Sequence, residues 1–324
     1  MGHRPIPGNI LSWMVATIFY SSQAFSTFVI VAEGIWRQQE HEEFLRLLQE
    51  IELSLKLRLN QDVNLDWCDR KVRFLLNYLL WMSLICYYLV FYYSPTLEYN
   101  AYFWSILWFV FTMRFRLIQL LLYVRVLQHY MECLCMKVRQ IVELRVAPSR
   151  QLMDVNYEKL QSLEYLQAIK EIYALLFREF QLLNDFAGWS LFGLITNYAF
   201  DFGFTAYCII ITFEGCVKHR KHYFTLLWWV LTTSVVVCHI CLLCDKCKKL
   251  EHTLAALMSK IIISSSSKSL RQYRLLVHQF STQLQLQPIE VTAKHFFTLD
   301  LRLITWLTLS TITYLVILIE FLSL

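Results

Sequence analysis

Between Arg4 and Glu33 the chain carries no Asp, Glu, Lys or Arg. About 20 consecutive apolar residues suffice to cross a bilayer as a helix, and only a helix or a closed barrel satisfies its own backbone hydrogen bonds in lipid. Six stretches reach that length: residues 10–32, 74–93, 101–124, 186–213, 223–244 and 299–321. The third is the least uniform, because Arg114 and Arg116 interrupt it. Barrel strands would need alternating segments of about ten residues separated by many turns, and only 7 Gly and 5 Pro are present. Charged residues are 17% of the chain, against roughly a quarter in soluble domains. These features define an all-α polytopic membrane protein with six transmembrane helices.

The net charge of +5 is no nucleic-acid footprint, because the basic residues collect in three loops between spans. Seven lie in residues 33–73, eight in 125–185 and eight in 245–297, whereas 94–100 holds none and 214–222 only Lys218, Arg220 and Lys221. The bias of Lys and Arg toward the cytoplasm places the three long loops inside and both termini outside. These loops are themselves periodic. Phe44, Leu47, Leu48, Ile51 and Leu55 recur at helical spacing, as do Leu160, Leu163, Leu166, Ile172 and Leu176, and Leu250, Leu254, Leu257 and Ile261. They are expected to carry membrane helices onward into a cytoplasmic helical platform, with Ser264 to Ser267 as a flexible break.

The ten cysteines divide between apolar spans and the reducing cytosol, which favours packing over disulfides. Cys238, Cys241, Cys244 and Cys247 recur every third residue. On a helix that step fans them over half the circumference, so they cannot converge on one tetrahedral ion; acylation of the inner pair is the competing use. Ile6 stands where myristoylation requires Ser or Thr. Residues 10–32 exceed a signal-peptide core and lack a clear basic flank, so they are read as a retained span. No cofactor or metal is expected. No Gly-rich phosphate loop, His-Glu-x-x-His pair or Gly-x-Ser-x-Gly elbow occurs, and no enzymatic activity is expected.

The closing stretch Thr313-Tyr314-Leu315-Val316-Ile317-Leu318-Ile319-Glu320-Phe321 places a carboxylate in a span. Glu320 lies about 6 Å of helix from the last residue, at the outer interface. Extracellular water or the mouth of a pore shared between subunits would each accommodate it.

This stretch resembles the signature that closes insect gustatory receptors: Thr-Tyr, five hydrophobic residues, then Gln-Phe. Thr313, Tyr314 and Phe321 match, and Glu320 stands where the family has Gln. His295-Phe296-Phe297-Thr298-Leu299-Asp300 precedes the last span as in that family, and Leu183-Asn184-Asp185-Phe186 is similar to the Asn-x-Phe that opens its fifth helix. The family has seven spans with an inside N-terminus. The six spans here align with its second to seventh, and the first helix is expected to be missing through a truncated gene model or a short isoform.

The resemblance implies a tetrameric, ligand-gated non-selective cation channel in the plasma membrane of a sensory neuron, with an extracellular C-terminus. Residues 1–268 would form the ligand-binding helical region with its cytoplasmic extensions, and 269–324 the cytoplasmic anchor and C-terminal pore helix. Ile317 and Phe321 would form the constriction, with Tyr314 and Glu320 beside it. A small-molecule tastant would bind among the outer halves of the helices, where Tyr20, Tyr88, Trp108, Asp201, Trp228 and Trp229 lie; interface belts use the same aromatics. Arg114 and Arg116 are expected to snorkel toward cytoplasmic phosphates, out of level with Asp201. Implied partners are membrane lipid and other gustatory receptors in a homo- or heterotetramer, with no nucleic acid. A G-protein-coupled chemoreceptor is the alternative; it calls for Asn-Pro-x-x-Tyr in the last span, which here contains no proline. A secondary transporter would need internal repeats, broken helices and paired buried charges, none of which the sequence displays.

Overall fold

The computed structural model describes residues 8–63, 65–66, 70–75, 77–78, 81–82, 85, 97–146, 162–213, 221–264 and 271–323. The expected span 74–93 lies mostly outside these residues, and Tyr88 wholly so. The side chains of Trp228, Trp229 and Phe321 lie outside the described ones as well.

Helix α1 (Gly8–Trp36) is the charge-free run. A one-residue turn at Arg37 separates it from α2 (Gln38–Leu59), whose inner face follows from period rather than hydropathy: Phe44, Leu47, Ile51, Leu55 and Leu59 are buried on one side. Glu40 in its first turn and Lys56 and Arg58 in its last complement the helix dipole. Asn60, in the left-handed conformation at φ 48°, closes it.

Three very long helices form the trunk: α3 (Leu97–Val146), α4 (Leu163–Phe213) and α5 (Lys221–Ser264), of 50, 51 and 44 residues. At 1.5 Å per residue each exceeds twice the roughly 30 Å hydrocarbon thickness, so the membrane helices do run on into the long connections. Helix α3 packs on α5, and α1 and α2 pack on α4. Among the described side chains, Val230–Ile261 is the stretch long and apolar enough to span a membrane alone, and the apolar stretch Leu301–Ile317 is shorter.

Most of the largest fully buried side chains lie outside the apolar spans. Phe44, Ile51, Leu55, Leu127, Tyr130, Tyr173, Phe180 and Phe280 are almost wholly buried, and all of them belong to the segments that the basic residues mark as cytoplasmic. Toward the other end Phe25, Phe28, Trp108, Leu231 and Val235 face outward. Water forces apolar faces together in the platform, whereas lipid tails cover them equally well in the spans.

Helix α6 (Arg271–Leu286) closes the platform by burying Tyr273, Val277, Phe280 and Leu284. Tyr173 donates to the Gln287 carbonyl at 2.8 Å, and Glu251 accepts the Ile289 amide at 3.0 Å. A small antiparallel hairpin follows, β1 (Thr292–Ala293) with β2 (Phe297–Thr298), Ala293 opposite Phe297. Lys294 and His295 both take positive φ at its tip, 47° and 63°, where such turns favour Asn or Gly. Asp300 then accepts the Leu303 amide at 3.2 Å and starts the last helix, α7 (Leu301–Ser323).

The described cysteines are packing residues. Cys244 and Cys247 are buried, which closes them to acylation.

Candidate functional site

Three features stand out along the molecule, and the first is α7. One edge of it is packed, with Leu303, Ile304 and Leu307 against the core and Thr311 buried. The rest is uncovered: Trp306 is 68% exposed, Tyr314 47% and Ile317 46%, with Leu309, Ile312 and Val316 similar. Glu320 is exposed on the same helix. The hydroxyls of Thr308, Thr311 and Thr313 donate to carbonyls one turn back at 2.8, 2.9 and 3.0 Å, so these polar residues need no external partner. An apolar helix exposed around most of its circumference asks for lipid or further protein. A cavity of about 400 Å³ lies between α7, α4 and α1, lined by Ile18, Phe200, Phe204, Leu307 and Tyr314.

The second feature is a buried polar centre in the half of the bundle remote from the platform. Ser22 of α1 donates to Asn197 of α4 at 3.1 Å, and Asn197 donates to Asp201 at 3.1 Å. Gln23 of α1 is buried beside them, and Arg114 of α3 lies within electrostatic reach of Asp201. Arg114 donates to Thr232 of α5 at 3.0 Å. The centre thus ties four helices together through a carboxylate and a guanidinium that are both buried. This corrects the expectation for Arg114: it is buried and donates to Thr232 instead of snorkelling, with the Asp201 carboxyl within electrostatic reach.

Of the residues expected to contact ligand, only Asp201 is shown in this centre. Tyr20 is half-buried on α1, and Trp108 is 71% exposed on the outer surface of α3. Tyr198, three residues before Asp201 in α4, donates to Ser234 at 2.9 Å and so joins α4 to α5 nearby.

The third feature lies where the bundle meets the platform and α4 contacts α1, α2, α3 and the hairpin. Asn184 reads the hairpin strand as another strand would, donating to the Glu290 carbonyl and accepting the Thr292 amide, both at 2.8 Å. Phe186 packs in a ring cluster with His41, Phe44 and Tyr123, at centroid distances of 5.1, 5.1 and 6.1 Å. His41 shares a 2.7 Å hydrogen bond with the Tyr123 hydroxyl, and burial, then Arg116, hold its pKa below the usual imidazole range. Gly188 gives the hairpin room: a Cβ there would stand 2.9 Å from Lys294 Cγ and 3.1 Å from the Lys294 amide nitrogen.

Glu33, buried at the end of α1, accepts the amides of Trp189 at 3.0 Å and Ser190 at 2.8 Å, as well as the Ser190 hydroxyl. Arg116 pairs with Glu33 at 3.7 Å and donates to the Phe186 carbonyl at 3.3 Å. The expectation that Arg116 snorkels is therefore corrected too, for the same reason as Arg114. Sequence reasoning did not single out Glu33 as a site residue. Its signal was its place as the first charge after a long apolar run.

Comparison with known proteins gives this architecture a family. Residues 6–323 match the 7tm chemosensory receptor family. The chain belongs to that family. It is 24% identical to putative gustatory receptor 39b of Drosophila melanogaster over 227 residues, which are 68% of this chain and 60% of that protein. It is 29% identical to gustatory receptor 23a of the same species over 142 residues, 44% of this chain and 37% of the relative. The chain therefore spans less than two thirds of the length of these relatives. Among solved structures, the insect olfactory receptor OR5 from Machilis hrabei has the same fold, with a TM-score of 0.66 at 14% identity, covering 95% of this chain and 81% of that one. As a member of this family the chain is a multi-pass membrane protein, and the family is the insect chemoreceptor type that its closing motif implied.

Proposed function

We propose that this chemosensory receptor is a subunit of a ligand-gated, non-selective cation channel, in which four copies of α7 surround one pore. The observation that carries the reading is the uncovered apolar face of α7, where Tyr314 and Ile317 stand one turn apart and Glu320 follows. A single such helix cannot enclose water, but four can. Ile317 and Phe321 would close the pore by dewetting, and the four Glu320 carboxylates would gather cations at its outer mouth. The subunits are this chain alone or this chain with other gustatory receptors, in the plasma membrane of a sensory neuron, the C-terminus outside. Residues 1–268 receive the ligand and 269–324 anchor and form the pore.

The ligand is a small-molecule tastant held among the outer halves of the helices, with Tyr20, Tyr88, Trp108, Trp228 and Trp229 as its aromatic contacts and Asp201 as the polar group beneath. The Machilis receptor has been solved in complex with eugenol, again with a matching fold at a TM-score of 0.63, which supports a small organic molecule as the ligand class.

Patch recordings from cells expressing the chain test the channel directly: intrinsic cation current that persists when G-protein signalling is inhibited is expected, and responses that vanish with that inhibition would refute it. Glu320→Gln should lower cation permeability about fivefold, since the carboxylate ring, screened by water at the interface, contributes about 1 kcal/mol of attraction to a passing cation. An unchanged reversal potential and conductance would put Glu320 outside the conduction path. A tag after Leu324 should be cleaved by protease added to intact cells.

A further inference from the structure

An α-helix is held by bonds from each amide to the carbonyl four residues earlier. Two consecutive rungs of α4 join Trp189 to Asp185 and Ser190 to Phe186. All four groups are engaged from outside the helix. The two amides donate to the Glu33 carboxylate. The Asp185 carbonyl accepts from Arg37 at 2.8 Å, and the Phe186 carbonyl from Arg116 at 3.3 Å. Charge-assisted bonds are about twice as strong as neutral ones, so these side chains compete well with the rungs they touch. Helices bend where side chains insert into the ladder. Gly188, between the two rungs, adds no side chain to resist.

The location gives such a bend a consequence. Outside it, α4 carries Asn197 and Asp201 of the polar centre; inside it, α4 is packed into the platform by Phe180 and Leu183. Asn184, Asp185 and Gly188 touch the hairpin that leads into α7, through Thr292 and Lys294. Glu33 and Arg37 come from the α1 end and Arg116 from α3, so the outer bundle holds the same turn from the other side.

We propose that residues 185–190 of α4 form a hinge, its rungs weakened by Glu33 with Arg37 and Arg116, through which rearrangement of the outer bundle reaches α7. Its last step rests on α7 being the pore helix. Glu33 is a positioning residue here: it touches neither ligand nor pore, and acts through the α4 backbone.

Hydrogen–deuterium exchange on the full chain in lipid nanodiscs reads the hinge without reference to conduction. Glu33→Gln should speed exchange of the amides at 189 and 190 at least tenfold and leave residues 165–180 unchanged. Should that variant fail to fold, Glu33→Asp keeps the charge beside Arg116 but is one methylene too short to serve both amides, and faster exchange in the same segment is again expected. Unchanged or slower exchange at 189 and 190 in a folded variant would overturn the hinge, because the rungs would then close as in an ordinary helix although Arg37 and Arg116 still engage their carbonyls. In patch recordings the same variants should alter basal current at least twofold at equal surface expression. Faster exchange with an unaltered current would overturn the coupling to α7, and absence of current in the parent chain as well would instead count against the channel reading.

Discussion

Gly188→Val is expected to detach the hairpin from α4 and abolish ligand-evoked current, with a loss of stability of about 1 to 3 kcal/mol. A Cβ at 188 meets Lys294 Cγ at 2.9 Å and the Lys294 amide nitrogen at 3.1 Å. The first contact could be relieved by swinging a flexible side chain. The second is backbone, fixed by the positive φ of Lys294 and His295 and by the Phe296 amide bonded to the Ala293 carbonyl at 3.0 Å. The hairpin must therefore lift as a unit, and the two Asn184 bonds to it lengthen with it. Gly34→Ala is the control, since a Cβ there meets nothing within 4 Å; alanine in a helix interior should be neutral or stabilising by up to about 1 kcal/mol. Thermal unfolding of the purified variants, with current at matched surface expression, checks both. A Gly188→Val protein as stable and as active as Gly34→Ala would show that the hairpin does not bear on α4 as described.

What the sequence made legible here was whatever repeats along one helix. The α2 stripe of Phe44, Leu47, Ile51 and Leu55 was readable because burial on one face imposes a 3.6-residue period. The continuation of membrane helices into the platform was readable for the same reason. The last helix and the Asn184–Phe186 segment were readable as resemblances, but not their chemistry. Asn184 bonds residues more than 100 positions away, and Glu33 meets Ser190 across 157. No local period records such a pairing. The arginines show why a rule of thumb fails there. Read alone, Arg114 and Arg116 in an apolar span should reach for phosphate; the structure supplies Asp201 and Glu33 from other helices, and an internal carboxylate outcompetes a distant headgroup. Trp108 shows the converse, since an aromatic in the outer half of a span faces outward as readily as inward.

Glu179→Gln should make the receptor more stable at neutral pH, and by a margin that grows with pH. Glu179 sits in the platform on α4, wholly buried, and neither carboxyl oxygen has a hydrogen-bond partner among the described residues. Burial pushes its pKa up to about 9 from 4.5; Arg178 opposes the rise but is itself paired with Glu43, which adds to it. The acid is therefore protonated in the folded chain and ionised in the unfolded one between these two values. Stability contributed by the protonated form is complete below pH 4.5, declines by about 1.4 kcal/mol per pH unit above it, and is gone once pH passes 9. Glutamine has the same shape and no proton to lose, so it removes this slope. At pH 7 the difference comes to about 3 kcal/mol, or several degrees in Tm. Stability of parent and variant followed from about pH 5 to pH 8.5 should converge toward acid and diverge toward base. Parallel curves would mean that Glu179 is already ionised in the folded platform, with a partner that neutralises it.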